Sequence, residues 1–215
     1  DAGRIEDLAW SADGQWLAYS FQVTARQRAI KLCELATRRC TLVTQPEFRD
    51  YCPSFDPAGR YLYFLSLRTY DPVYDSVQFE MSFPRAARPY LVALQAAGTP
   101  PFDAEPKGLK DSDTPETKPA AVPAPMRVDL DGIAWRIAAF PVAENRFGAL
   151  AGAADGKVVW TVLPIEGQQG RGGHKESSGR LEVFDFETRR AETLMDKCDD
   201  FELAADHATL LVRDG

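Results

Sequence analysis

His174 and His207 are the only imidazoles in the 215-residue chain, and they are its candidates for general-base chemistry near neutral pH. Serine-based hydrolysis needs a hydroxyl, a histidine within hydrogen-bond reach and a carboxylate that orients it. His174 sits in the Gly-rich loop "EGQQGRGGHKESSG" (166–179) and His207 in the turn of "LAADHATLLV", so both read as solvated side chains. No G-x-S-x-G elbow is present. "GQQGRGGHK" has glycines and a lysine but neither the phosphate-loop spacing nor a following helix. The acid pairs Glu6/Asp7 and Asp199/Asp200 lack calcium-loop spacing and read as turns. Cys33, Cys40, Cys52 and Cys198 form no C-x-x-C pair, which argues against structural zinc. Cys33 and Cys40 flank the turn "ELATRR", where a cross-hairpin disulfide is conceivable. The expectation is reduced thiols packed as small apolar groups, in a reducing compartment. No catalytic residue, metal or cofactor is therefore expected in this chain.

A different chemistry is written into residues 68–90. Arg68, Tyr70, Tyr74, Phe79, Phe83, Arg85 and Arg88 gather within 21 residues. In one reading Phe79 and Phe83 pack between sheets and the arginines are solvated. In the other, the segment lines a central channel or its rim. There Arg68, Tyr70, Tyr74, Arg85 and Arg88 would grip an extended peptide through its backbone and its C-terminal carboxylate.

The elements that must position these groups repeat. "WSADGQWLAYS" (10–20) returns as "FDPAGRYLYFL" (55–65), as "GAADGKVVWTV" (152–162) and, more weakly, as "LAADHATLLV". Each is a polar turn followed by a strand, and the Asp13 side chain is expected to cap its own turn. The second half of the unit recurs as "IKLCELATRRCTLVT" (30–44), "RPYLVALQAAG" (88–98) and "LEVFDFETRRAETLM" (181–195). Apolar residues alternate with period two and no helical period is sustained. Four antiparallel strands every ~40–50 residues is the spacing of propeller blades. The expected fold is all-β: one partial β-propeller over 1–215, with blades at about 4–50, 51–98 and 126–197. A further blade begins at 198–215. "TPPFDAEPKGLKDSDTPETKPAAVPAP" (99–125) reads as a linker or surface loop outside the core. Three and a half blades leave two blade faces uncovered, so the chain reads as a piece of something longer.

Composition narrows the function. With 45% hydrophobic residues and a net charge of −7, the chain is globular and its acidic surface disfavours nucleic acid. No run is long and apolar enough to span a membrane, and "DAGRIEDLAW" is not a signal peptide.

"YDPVYDSVQFEMSFPRAARPYLVAL" (70–94), "VDLDGIAWRIAAFPV" (128–142) and "GALAGAADGKVVW" (148–160) resemble the tricorn protease family, specifically the later blades of its seven-bladed propeller. The resemblance covers about residues 4–213. It implies a cytoplasmic, hexameric serine peptidase that trims oligopeptides, with its nucleophile and histidine in a later region. This segment would then be non-catalytic, guiding or gating peptides and contacting the remaining blades. The alternative is a TolB-like or WD40-like interaction propeller with no protease attached. Asp-Gly turns alone are common to all of these.

Overall fold

The computed structural model describes residues 3–70, 72–74, 81–97, 101–102, 125–164 and 178–214. It is built almost wholly of antiparallel strands. The first blade is β1 (Ile5–Trp10), β2 (Trp16–Gln22), β3 (Arg28–Glu34) and β4 (Arg39–Leu42). The second comprises β5 (Arg49–Phe55), β6 (Tyr61–Leu67), β9 (Ala87–Ala93) and β10 (Ile137–Ala139), with a small hairpin, β7 (Val73–Tyr74) and β8 (Met81–Ser82), between its second and third strands. The third is β11 (Phe147–Ala153), β12 (Lys157–Val162), β13 (Gly179–Asp185) and β14 (Arg190–Cys198). A fourth begins with β15 (Asp200–Leu203) and β16 (Leu210–Arg213). Among the described residues a single parallel pairing, Arg28 with Arg49, joins the first two blades at one end.

The repeated turns explain the repeated strands. Gly14, Gly59 and Gly156 hold positive φ angles of 67°, 71° and 66°, and His207 occupies the matching place at 54°. Arg38 and Arg189, in the two Thr-Arg-Arg turns, share a φ of 56°. As expected, Asp13 accepts from the Gln15 backbone N–H at 3.0 Å, capping its own turn.

Packing makes these sheets blades. Trp16, Ile30 and Leu32 of blade one meet Leu62, Phe64 and Val92 of blade two. From the other face of β6, Tyr63 and Leu65 meet Phe147, Val158, Trp160 and Phe184. Val159 and Leu181 then meet Phe201 of the fourth blade. Middle strands are thus buried on both faces, so β6 and β12 read as nearly unbroken apolar runs rather than alternating ones. Each large side chain so buried contributes about 1.5–3 kcal/mol relative to exposure.

The first strands of the blades lie side by side and are stitched together. Bulges at Asp7 and Cys52, both at φ 53°, turn polar atoms sideways. The Cys52 N–H donates to the Asp7 carboxylate at 3.1 Å, the Leu150 N–H donates to Cys52 Sγ at 3.3 Å, and the Gly152 N–H donates to Ser54 Oγ at 3.0 Å.

Three features depart from the sequence reading. Blade two takes its fourth strand, Ile137–Ala139, from beyond the 99–125 segment, within residues grouped above with the next unit. The Asp129 N–H donates to Leu94 O at 2.8 Å, so the chain returns to the point at which it left. Phe102, within the segment expected outside the core, packs among Phe140, Phe184 and Phe186 at 5.2–6.0 Å. Finally, a disulfide joins Cys33 and Cys40, against the expectation of reduced thiols. The tight turn places the two residues directly opposite in the β3–β4 ladder, with Cα atoms 4.0 Å apart.

Candidate functional site

The strands define two faces. On the lower one lie the Asp/Gly turns. On the upper one β1, β5 and β11 begin, and there the register aligns Arg49, Leu67 and Ala87, with Ala87 bridging to Asn145. The 68–86 connection leaves this upper face from the second strand of its blade and returns to the third.

Two hollows flank the end of β6 there. One, of about 710 Å³, is lined by Thr24, Arg26, Gln27, Glu47, Phe48, Arg49 and Leu67. The other, of about 340 Å³, lies where blades two and three meet, among Tyr51, Leu67, Phe83, Pro84, Asn145 and Phe147.

Two of the five residues singled out from sequence are held inside the fold. The Arg68 guanidinium lies 3.3 Å from the fully buried Asp50 carboxylate, while Arg68 Nε donates to Ser66 Oγ at 2.9 Å. Ser66 donates in turn to Asp50. Rings of Tyr90, Phe48 and Phe64 surround the same guanidinium at 4.6, 4.8 and 5.5 Å. Arg88 donates to Phe140 O at 3.0 Å and pairs with Glu144 at 3.2 Å. These two arginines brace blade two.

Others point outward. Tyr70 is 82% exposed and its ring leans on Phe83, centroids 4.5 Å apart and planes tilted by 39°. Arg85 is exposed and makes no ion pair among the described residues. Tyr74 lies in β7, its side chain outside the described residues, as are Phe79, His174 and most of the 166–179 loop. Phe83 lines the smaller hollow, Tyr70 touches Phe83 and Arg85 follows Pro84 of the same lining, so Phe83 lies where two blades meet but is 36% exposed.

Sequence inspection did not single out Tyr51, which lines that hollow, and read the adjacent Cys52 only as a packed thiol. Burial, with the neighbouring Cys52 adding to it, pushes the Tyr51 phenol up to about 12, and burial pushes the Cys52 thiol up to about 11. Both groups are neutral near pH 7, so neither is primed as a nucleophile. Among the described residues no three His, Cys, Asp or Glu side chains gather as metal ligands would. His207 forms part of a turn, its backbone N–H donating to Ala204 O at 2.9 Å. The rim can hold a chain by stacking, charge and backbone contact.

A family model described as the tricorn protease second beta propeller domain matches residues 1–215. The chain is 34% identical over 216 residues to tricorn protease homolog 1 of Streptomyces coelicolor, covering 98% of itself and 20% of that protein. It is 33% identical over 211 residues to the tricorn protease homolog of Saccharolobus solfataricus, covering 97% of itself and 18% of the relative. It spans about a fifth of these relatives' length. Among solved structures, that of the tricorn protease superposes with a TM-score of 0.77 at 24% identity, over 98% of this chain and 20% of the other. TolB from Acinetobacter baumannii gives 0.57 at 16%, over 98% and 37%. At those identities the superpositions establish the fold, a β-propeller.

Proposed function

Because the chain belongs to the tricorn protease second β-propeller family, we propose that it serves a larger peptidase as a non-catalytic segment guiding oligopeptides toward a catalytic region elsewhere in the protein. The parent would be a cytoplasmic serine peptidase acting as a homo-oligomer. The observation that carries this reading is the solvent-facing Tyr70 ring tilted against Phe83, near the exposed Arg85, at a hollow between two blades. An aromatic ring as exposed as Tyr70 adds little to the core, whereas it suits weak contact with the backbone and side chains of a passing chain. Tyr70, Tyr74 and Arg85 make that contact, and Arg68 and Arg88 hold the strands from which the rim rises. Such contacts slow and orient many peptides without selecting one.

The test is a length comparison in the full-length parent protein carrying Tyr70→Ser, Phe83→Ser and Arg85→Ser together. Cleavage of a fifteen-residue peptide is expected to fall about tenfold in kcat/KM, on the order of one lost stacking contact. Cleavage of a chromogenic tripeptide, too short to need guidance, is expected to change less than twofold. Equal loss on both substrates, or loss on neither, overturns the proposal.

A further inference from the structure

The arginines of the upper face divide into those engaged in ion pairs and those that are not. Arg4 and Arg28 both pair with Glu6, at 2.9 and 2.5 Å. Arg68 pairs with Asp50 and Arg88 with Glu144. Arg26 and Arg49 are exposed, and neither guanidinium makes an ion pair or hydrogen bond among the described residues. Both line the larger hollow, whose remaining wall includes the apolar surfaces of Ala25, Phe48 and Leu67 and a single carboxylate, Glu47.

In a chain of net charge −7, two uncommitted guanidinia in one concavity form a local reversal of sign. Guanidinium forks match carboxylates in shape and charge. The Glu47 carboxylate leaves a net charge suited to one further carboxylate and disfavours a doubly charged phosphate. The adjacent Phe48 and Leu67 provide for an apolar side chain next to that carboxylate. We propose that this hollow is a specificity subsite for an acidic residue, Asp or Glu, flanked by an apolar one in an extended peptide. Arg26 and Arg49 hold the carboxylate, and Phe48 with Leu67 hold the neighbour. The subsite rests on the peptide-guiding reading above and adds to it a preference for acidic segments.

The test uses the full-length parent protein with hydrolysis blocked by a covalent serine-protease inhibitor. Two fluorescein-labelled, C-terminally amidated decapeptides are compared by fluorescence anisotropy. They differ only in a central Glu-Leu against Gln-Leu. Losing a charge-assisted contact is expected to weaken binding about tenfold, so the Glu peptide should bind about tenfold more tightly. In the Arg26→Gln, Arg49→Gln double variant the difference should shrink below twofold while affinity for the Gln peptide stays unchanged. That constant affinity also shows the variant to be folded. Equal affinity of the two peptides for the wild-type protein overturns the subsite but leaves peptide guiding standing. A Glu preference that survives in the double variant does the same. If neither peptide binds the wild-type protein, both readings fail together.

Discussion

Replacing Arg68 with alanine separates bracing from peptide contact. The substitution removes the partner of a carboxylate with no solvent exposure, and the arginine side chain is itself only 19% exposed. Breaking a buried pair from one side costs about 3–5 kcal/mol, because a charge is left without compensation. The partial exposure of Arg68 argues for the low end, about 3 kcal/mol. Contact with three aromatic rings adds about 1 kcal/mol. The total, about 4 kcal/mol, is a large share of the ~5–15 kcal/mol by which a domain is stable. Hydrogen exchange of β5, β6 and β9 amides in the full-length protein reads this locally, and about 4 kcal/mol corresponds to roughly a thousandfold faster exchange. Asp50→Ala should have a comparable effect. In the double variant the second substitution should cost at least ~2 kcal/mol less than it does alone, since no unpaired charge remains. Strictly additive losses, or acceleration below tenfold in Arg68→Ala, would refute the reasoning.

Two further outcomes follow from the packing of the first strands. The raised values of Cys52 and Tyr51 mean that the folded state holds those protons more tightly than the unfolded chain. Their contribution to stability is complete below pH 9, the ordinary thiol value, and is lost as pH rises to about 11 for Cys52 and from 10 to about 12 for Tyr51. Thiolate absorbance followed through an alkaline titration should place Cys52 near 11, and a midpoint below 9.5 would contradict its burial. Gly152→Ala should destabilise by about 3 kcal/mol, because its Cβ would stand 2.3 Å from the Phe55 carbonyl oxygen and 3.0 Å from the Tyr63 ring. A thermal midpoint unchanged within 1 °C would show that the first strands of blades two and three do not approach so closely.

Much of the fold was legible because the turns are local. Asp-Gly and Thr-Arg-Arg demand particular backbone angles, and those demands recur wherever the residues do, even at His207 where glycine is absent. The tie between third and fourth strands of blade two was not legible. Ile137–Ala139 is three residues long, carries no turn signal and finds its partner more than forty positions away. Phe102 escaped for a related reason, since one aromatic residue cannot outweigh a proline-rich, charged neighbourhood when composition is averaged. At the candidate site the sequence offered a segment but not the division of labour within it. Arg68 and Arg85 look alike on paper, and only Asp50, eighteen residues before Arg68 and brought beside it by the β5–β6 register, distinguishes brace from rim.

The bond between Asp129 and Leu94 turns the long excursion of blade two into a port. Both ends of the stretch are fixed at one spot, so lengthening it beyond Phe102, which stays packed in the core, adds chiefly the entropy of closing a loop, about 0.6 kcal/mol for each doubling. A compact foreign domain whose own termini lie close together can therefore be spliced there as cargo, carried by the wheel without prying its blades apart.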